Sequence, residues 1–245
     1  MPILEGLSVS RRFGGLTAVC DVDFHLNEEE ILGLIGPNGA GKSTLFNLIS
    51  AALTPKPGKI LFKGVDITGI KPNRICRMGL ARTFQNVKIF SNLSVLENVL
   101  IGSFFGSSAK VSPSQARHYA EEALAFTGLS PAKDSLAADL TLANQKRLEV
   151  ARALATKPQV IMLDEIMEGL NPSEVSQAMD LVIRIRDSGV AVIMIEHVMK
   201  AIMHICDRVM VLHHGVKIAD GTPAEIATDQ NVMKVYLGDH ARVVG

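Results

Sequence analysis

Gly36-Pro37-Asn38-Gly39-Ala40-Gly41-Lys42-Ser43-Thr44 fits the pattern G-x-x-x-x-G-K-[ST]. Ahead of it, Glu30 to Ile35 is a short apolar run; behind it, a helical pattern runs from Gly41 to about Ala52, closed by Pro55 and Pro57. Strand, glycine-rich turn and helix form the context that gives this pattern a meaning. A polyphosphate carries several negative charges, so glycines let backbone N–H groups close around it while a helix N-terminus supplies positive dipole. In that reading Lys42 reaches the β- and γ-phosphates and the Ser43 hydroxyl ligates magnesium. The competing reading is a glycine-rich turn that merely contains Lys-Ser, and the flanking strand and helix speak against it.

Working outward, Ile3 to Leu26 alternate around Gly14-Gly15, with Val22, Phe24 and Leu26 on one face, which predicts an antiparallel hairpin. Lys59 to Phe62 and Leu80 to Phe84 read as further strands, with turn residues Gly64, Pro72 and Gly79 between them. From Asn86 to Ala155 the strand signal is absent. That segment holds a Ser94-x-x-Glu97 capping box, a helix from about Ser114 to Thr127 stopped by Gly128, and another from Asn144 to Ala155. Its Ser- and Gly-containing stretch, Phe104 to Pro113, reads as a loop. After Pro158 come a strand at Val160 to Leu163 and a helix entered through Asn171-Pro172-x-Glu174. A strand at Val190 to Ile195, a helix from Val198 and a strand at Arg208 to Leu212 follow. Strands alternating with helices imply an α/β fold with a largely parallel sheet.

Two more strand ends carry chemistry. Val160 to Leu163 run into Asp164-Glu165, which suits a metal-bound water held by Asp164 and a base at Glu165 aimed at an attacking water. An arbitrary Asp-Glu is a solvated turn; downstream of Lys42 in one alternating fold the functional reading is preferred. Val190 to Glu196 end in His197, at the carboxyl end of a strand expected to lie parallel, where ligands gather in open α/β sheets. A γ-phosphate contact is therefore the reading for His197, whereas His25, His204, His213 and His214 are read as ordinary residues. Gln85 follows a strand and opens the helical segment, placed to join a magnesium shell. Phe13, in a chain with only 4% aromatic residues, offers a face for a purine, against an ordinary core contact as the alternative. Met162, Met167, Met194, Met199, Met203 and Met210 read as core filling.

With 245 residues and 47% apolar content, the chain can bury roughly 70 to 75% of its unfolded surface, so one domain is expected. Twenty-five basic and 25 acidic residues cancel, which gives no field for nucleic acid or anionic lipid. Apolar runs such as Ile31 to Ile35 fall far below the about 18 residues of a membrane span, and the N-terminus lacks a signal-peptide pattern. A cytoplasmic protein with buried free thiols at Cys20, Cys76 and Cys206 is the expectation, because their spacing suits neither zinc nor disulfides.

In this order and over essentially the whole chain, these motifs resemble the ATP-binding-cassette ATPases. The resemblance implies Phe13 as the adenine-stacking aromatic, Gly36 to Thr44 as phosphate loop, Gln85 as Q-loop, Asp164 and Glu165 as the Walker B pair and His197 as switch. It implies a P-loop, RecA-like core with a mixed sheet over 1–85 and 156–245, an N-terminal antiparallel β subdomain, and an inserted helical subdomain over 86–155 carrying the family signature. Arg12-Phe13-Gly14-Gly15-Leu16, Ala81-Arg82-Thr83-Phe84-Gln85-Asn86, Glu168-Gly169-Leu170-Asn171-Pro172 and Tyr236-Leu237-Gly238 look most like ATPases of branched-chain or hydrophobic amino-acid importers. That group implies ATP and Mg2+, integral-membrane permease partners, a second cassette in a hetero- or homodimer, a periplasmic or extracellular binding protein, and a place on the cytoplasmic face of the inner membrane. The usual Leu-Ser-x-Gly-Gln signature is Leu140-Thr141-Leu142-Ala143-Asn144 here. Thr141 keeps a hydroxyl for phosphate, but Ala143 replaces a glycine that permits close approach. Ile166 stands where a Pro is usual and Glu168 where a small residue is usual. A weakly hydrolysing regulatory subunit is one alternative. A cassette acting on DNA or ribosomes is another, opposed by the lack of a basic excess or long heptads.

Overall fold

The computed structural model describes residues 2–106 and 111–241, with side chains described through Tyr236. Two compact units divide the chain, Met1–Ile70 with Ala191–Gly245, and Lys71–Val190. In the first, β1 (Pro2–Phe13) and β2 (Leu16–Asn27) pair antiparallel around Gly14-Gly15 as the alternation predicts. Val22, Phe24 and Leu26 point into the core, while Asp21, Asp23 and His25 face out. β3 (Ile31–Ile35) is buried at every residue, the mark of a central strand covered on both faces. α1 (Lys42–Ile49) stops short of the expected Ala52 because Ala51 adopts a left-handed φ of 56°, which a continuing helix does not allow. β4 (Lys59–Phe62) then pairs with β1 and with the two-residue β5 (Val65–Asp66), giving the order β2-β1-β4-β5.

The second unit opens with α2 (Pro72–Met78), a helix where the sequence predicts turns. Pro72 is at its first position and Gly79, with φ 111°, is its C-cap, so both breakers bound a helix between them. β6 (Leu80–Arg82) is shorter than the expected Leu80 to Phe84 and runs parallel to β7 (Val160–Asp164). Thr83 extends the contact through its N–H to the Met162 carbonyl (2.9 Å), after which the chain leaves and Phe84 is exposed. α3 (Val95–Gly106) begins at the Ser94/Glu97 capping box, and α4 (Pro113–Thr127) begins at Ser112 and ends at Gly128. The expected loop at Phe104 to Pro113 is therefore narrower: Phe104 to Gly106 finish α3, and positions 107–110 lie outside the described residues. α5 (Leu142–Leu154) follows, and Val95, Val99, Ala120, Leu124, Leu148 and Ala151 join α3, α4 and α5 in one apolar cluster. α6 (Pro172–Asp187) enters through the reciprocal Asn171/Glu174 cap.

The chain then completes the first unit. β8 (Ala191–Ile195), buried throughout, precedes α7 (Met199–Ile205), β9 (Arg208–His213), β10 (Val216–Gly221), α8 (Pro223–Thr228) and α9 (Gln230–Ala241). β3 lies parallel to β8 and β9, and β10 lies antiparallel to β9, so the sheet is mixed. β10, α8 and α9 are absent from the sequence reading; Val216 to Gly221 is too polar to stand out as a strand and depends on pairing with β9. Met162, Met167, Met194 and Met210 are core, but Met199 is exposed and Met203 half-buried. Of the thiols only Cys206 is buried; Cys20 is exposed on β2 and Cys76 is intermediate, which corrects the expectation for both. Among the described residues no helix is long and apolar enough to cross a membrane.

Candidate functional site

In the first unit, β3 runs through the glycine-rich loop into α1. Gly36 has φ 149°, and a side chain there would place its Cβ 2.2 Å from the Leu212 carbonyl oxygen. Gly41 has φ 103°, with Ala18 O at 2.4 Å from the equivalent point. Both positions demand glycine, for conformation and for close approach. The β9–β10 turn braces the loop, since Gly215 donates to Ala40 O (2.9 Å) and Cys20 donates to Gly215 O (2.8 Å). α1 begins at Lys42 with no side-chain cap and no acidic residue in its first turn, so its leading N–H groups meet no anionic side chain of their own helix. Lys42 is only 6% exposed, and its Nζ donates to the carbonyls of Gly36 (2.6 Å) and Pro37 (3.1 Å). The loop thus holds a cation at its centre, which is the donor set a polyphosphate requires. Ser43 is exposed and Thr44 half-buried beside it. Burial pushes the Tyr236 hydroxyl up, with the nearby Gly36 backbone opposing the shift.

Phe13 closes β1, 44% exposed as a residue, with the Arg11 guanidinium 5.2 Å from its ring centre. An ordinary core contact is therefore not its role. His197 is exposed directly after β8, and the neighbouring Glu196 is buried. His25 and His204 are exposed, and His213 and His214 face each other with ring centres 4.0 Å apart.

In the second unit, β7 delivers Asp164 and Glu165, both buried. Gln85 Nε2 donates to Glu165 Oε2 at 2.7 Å, so the structure brings these two sequence-predicted residues together. Asp164 has two partners that the sequence reading did not assign: Arg82 donates to its Oδ2 (2.8 Å), and its N–H donates to Thr83 Oγ1 (3.2 Å). Glu165 adopts a left-handed φ of 52°, which L side chains rarely take. Its carbonyl accepts from Lys146 Nζ (2.8 Å), which also donates to the Glu168 carbonyl (2.7 Å). Glu149, one helical turn along α5, accepts from Lys88 N–H at 2.7 Å. Burial pushes the Glu149 carboxyl up, with the Lys88 N–H and the Arg152 guanidinium opposing. Arg82, Lys146 and Glu149 are the residues sequence reasoning missed. The available signal was in α5, where Lys146 and Glu149 sit at helical spacing from Ala143 and Val150 on the buried face. Thr141 is the N-cap of α5, accepting from Asn144 N–H at 3.4 Å, and Ala143 is buried.

A family profile described as "ABC transporter" matches residues 19–168. The chain belongs to the ATP-binding-cassette family. A second profile, "Branched-chain amino acid ATP-binding cassette transporter", matches residues 216–242, the segment that holds β10, α8 and α9. The chain is 38% identical to the high-affinity branched-chain amino acid transport ATP-binding protein BraF of Pseudomonas aeruginosa, over 97% of this chain and 98% of that one. It is 32% identical to the lipopolysaccharide export system ATP-binding protein LptB of Escherichia coli, over 99% of this chain and all of the relative. The ADP conformation of MJ1267, an ATP-binding cassette of an ABC transporter, superposes with a TM-score of 0.87 at 30% identity, covering 97% of this chain and 99% of that one. The fold is that of a cassette ATPase, and the activity of such a cassette is ATP hydrolysis by a transporter's nucleotide-binding subunit. Thr141 Oγ1 only accepts in the α5 cap, so its hydroxyl proton stays available for donation, and Ala143 close by is 8% exposed.

Proposed function

We propose that this ATPase powers an importer of branched-chain or other hydrophobic amino acids or amides. The observation that carries this reading is the full-length likeness to BraF, joined to the match of residues 216–242 to the branched-chain profile. The chain works from the cytoplasmic face of the inner membrane, docked to integral-membrane permease subunits and paired with a second cassette, with a periplasmic or extracellular binding protein delivering the substrate. Residues 86–155 act as the helical subdomain that bears the signature, inserted in a core of 1–85 and 156–245.

The site residues divide the work. Backbone N–H groups from Gly36 through Thr44, including those of Asn38, Gly39 and Ala40, and the Lys42 ammonium hold the phosphates, and Phe13 stacks on adenine. Ser43, Gln85 and Asp164 are the oxygen-bearing side chains that would serve as ligands to a Mg2+ bound with the nucleotide. Magnesium supplies charge neutralisation on the phosphates when bound. Glu165 orients and deprotonates water with Gln85 fixing its carboxylate, and His197 contacts the γ-phosphate. Thr141 and Ala143 face the nucleotide of the second cassette.

Buried Ala143 and Ile166 favour a second reading, a regulatory subunit that hydrolyses weakly. The likeness to LptB keeps lipid as an alternative cargo. Uptake of labelled leucine, isoleucine and valine by cells lacking this chain separates these readings. Loss of uptake, restored by the wild-type chain and not by Glu165→Gln, is the expected result. Unchanged amino-acid uptake overturns the importer, and full rescue by Glu165→Gln favours the regulatory subunit.

A further inference from the structure

Helix α5 carries two charged residues on its buried face, and each is directed at the main chain of a different loop. Lys146, 7% exposed, gathers the carbonyls of Glu165 and Glu168. Glu149, three positions on and 4% exposed, takes the N–H of Lys88 in the segment that follows Gln85. Residues three apart share a helix face, so one rigid element grips both the turn carrying Glu165 and the segment carrying Gln85. The side chains of those two residues meet at 2.7 Å.

A buried ammonium is costly unless it is fully partnered, and a Leu or Met would fill the same space without that cost. The cation is therefore explained by what it binds. Glu165 sits at φ 52°, where its own Cβ is crowded, and such a conformation persists only when its surroundings impose it. Two carbonyls of one turn drawn to a single Nζ impose it, with the Glu168 N–H closing the turn on Glu165 O at 3.3 Å.

We infer that Lys146 is a positioning residue for Glu165: it locks the turn Glu165 to Glu168 so that the carboxylate meets Gln85, while Glu149 steadies the Gln85 side of the pair. Lys146 acts through Glu165 rather than on the nucleotide. The inference rests on the reading of Glu165 as general base, and the two can fail separately.

The test is ATP turnover by the assembled transporter carrying Lys146→Met, Lys146→Arg, Glu165→Gln, or Lys146→Met with Glu165→Gln. A misplacement of about 1 Å costs on the order of a hundredfold, so Lys146→Met is expected to lower kcat about 10- to 100-fold. KM for ATP stays within about twofold of wild type, because nothing that holds ATP is removed. Lys146→Arg, which keeps charge and donors, restores most of kcat. In the Glu165→Gln background Lys146→Met adds less than about a twofold loss, since residues acting as a unit are not additive. Glu165→Gln at wild-type turnover overturns the reading of Glu165, and the inference with it. A slow Glu165→Gln beside a Lys146→Met that keeps kcat, changes only KM, or loses rate additively in the double variant overturns the positioning role and leaves the base standing. Should Lys146→Met fail to assemble, Lys146→Gln, which keeps N–H donors without the charge, is judged by the same criteria.

Discussion

Two buried lysines organise this molecule, and they do so by opposite routes. Lys42 donates to the carbonyls of Gly36 and Pro37, six and five residues back along the chain. Lys146 donates to those of Glu165 and Glu168, 19 and 22 residues ahead. Each is a cation removed from water and compensated by main-chain oxygen. In the first case the partners are local and the loop is glycine-rich, so a bound phosphate can replace them as the ammonium's partner. In the second the partners belong to a turn whose left-handed residue is a glutamate, so the bonds hold a shape. A buried charge therefore signals a ligand site in one place and a brace in the other. What separates the two is whether the bonds close within a loop or between elements.

The largest effect expected is on turnover. Removing a general base typically costs about 10² to 10⁴ in rate, so Glu165→Gln should lower ATP hydrolysis by that factor while leaving ATP bound, measured as retained labelled nucleotide. Loss of nucleotide binding in this variant would shift Glu165 from chemistry to grip and erase the contrast with the phosphate loop. In a heterodimer the same change should slow hydrolysis more than the equivalent change in the partner, whose site is completed by Thr141 and Ala143 of this chain; equal losses break that asymmetry.

Next comes the brace behind Asp164. Arg82 and Asp164 form a buried ion pair at 2.8 Å, and stripping one partner from such a pair costs about 3 to 5 kcal/mol. Arg82→Met should lower the denaturant midpoint accordingly, whereas a change below about 1 kcal/mol would mean that Asp164 finds another partner. On the loop side Gly41→Ala tests local strain. A Cβ would stand 2.4 Å from a backbone oxygen at φ 103°, so a loss of about 1 to 3 kcal/mol is expected in thermal unfolding, with weakened ATP binding. An alanine tolerated there would show that the loop is looser than its bonds imply.

The smallest effect concerns thiols beside the loop's supports. Burial pushes the Cys206 thiol up to about 12, with the carboxylates of Asp207 and Glu196 adding to the shift, so no thiolate is available near pH 8. Cys20 is exposed on β2. Maleimide should therefore label Cys20 within minutes and Cys206 only after unfolding, read by mass spectrometry of the labelled peptides.

The phosphate loop, the Asp164-Glu165 strand end, the Asn171 cap and the β1–β2 hairpin were legible because each is decided by residues within about a dozen positions, through spacing, glycine content and period. The same local logic erred at Pro72 and Gly79, which punctuate both turns and helix ends, and was silent at Val216 to Gly221, whose strand exists by pairing with β9. It also placed Cys20 and Met199 inside, because hydropathy ranks residue types and not faces. Chemistry along the chain was thus settled by sequence alone: a polyphosphate loop, an acidic strand end and an alternating α/β order. Only the folded chain decides that Arg82 backs Asp164, that Gln85 meets Glu165, and that Lys146 and Glu149 hold both from one helix face. Those bonds join residues from 19 to 82 positions apart, a distance that no periodicity encodes and only packing can close.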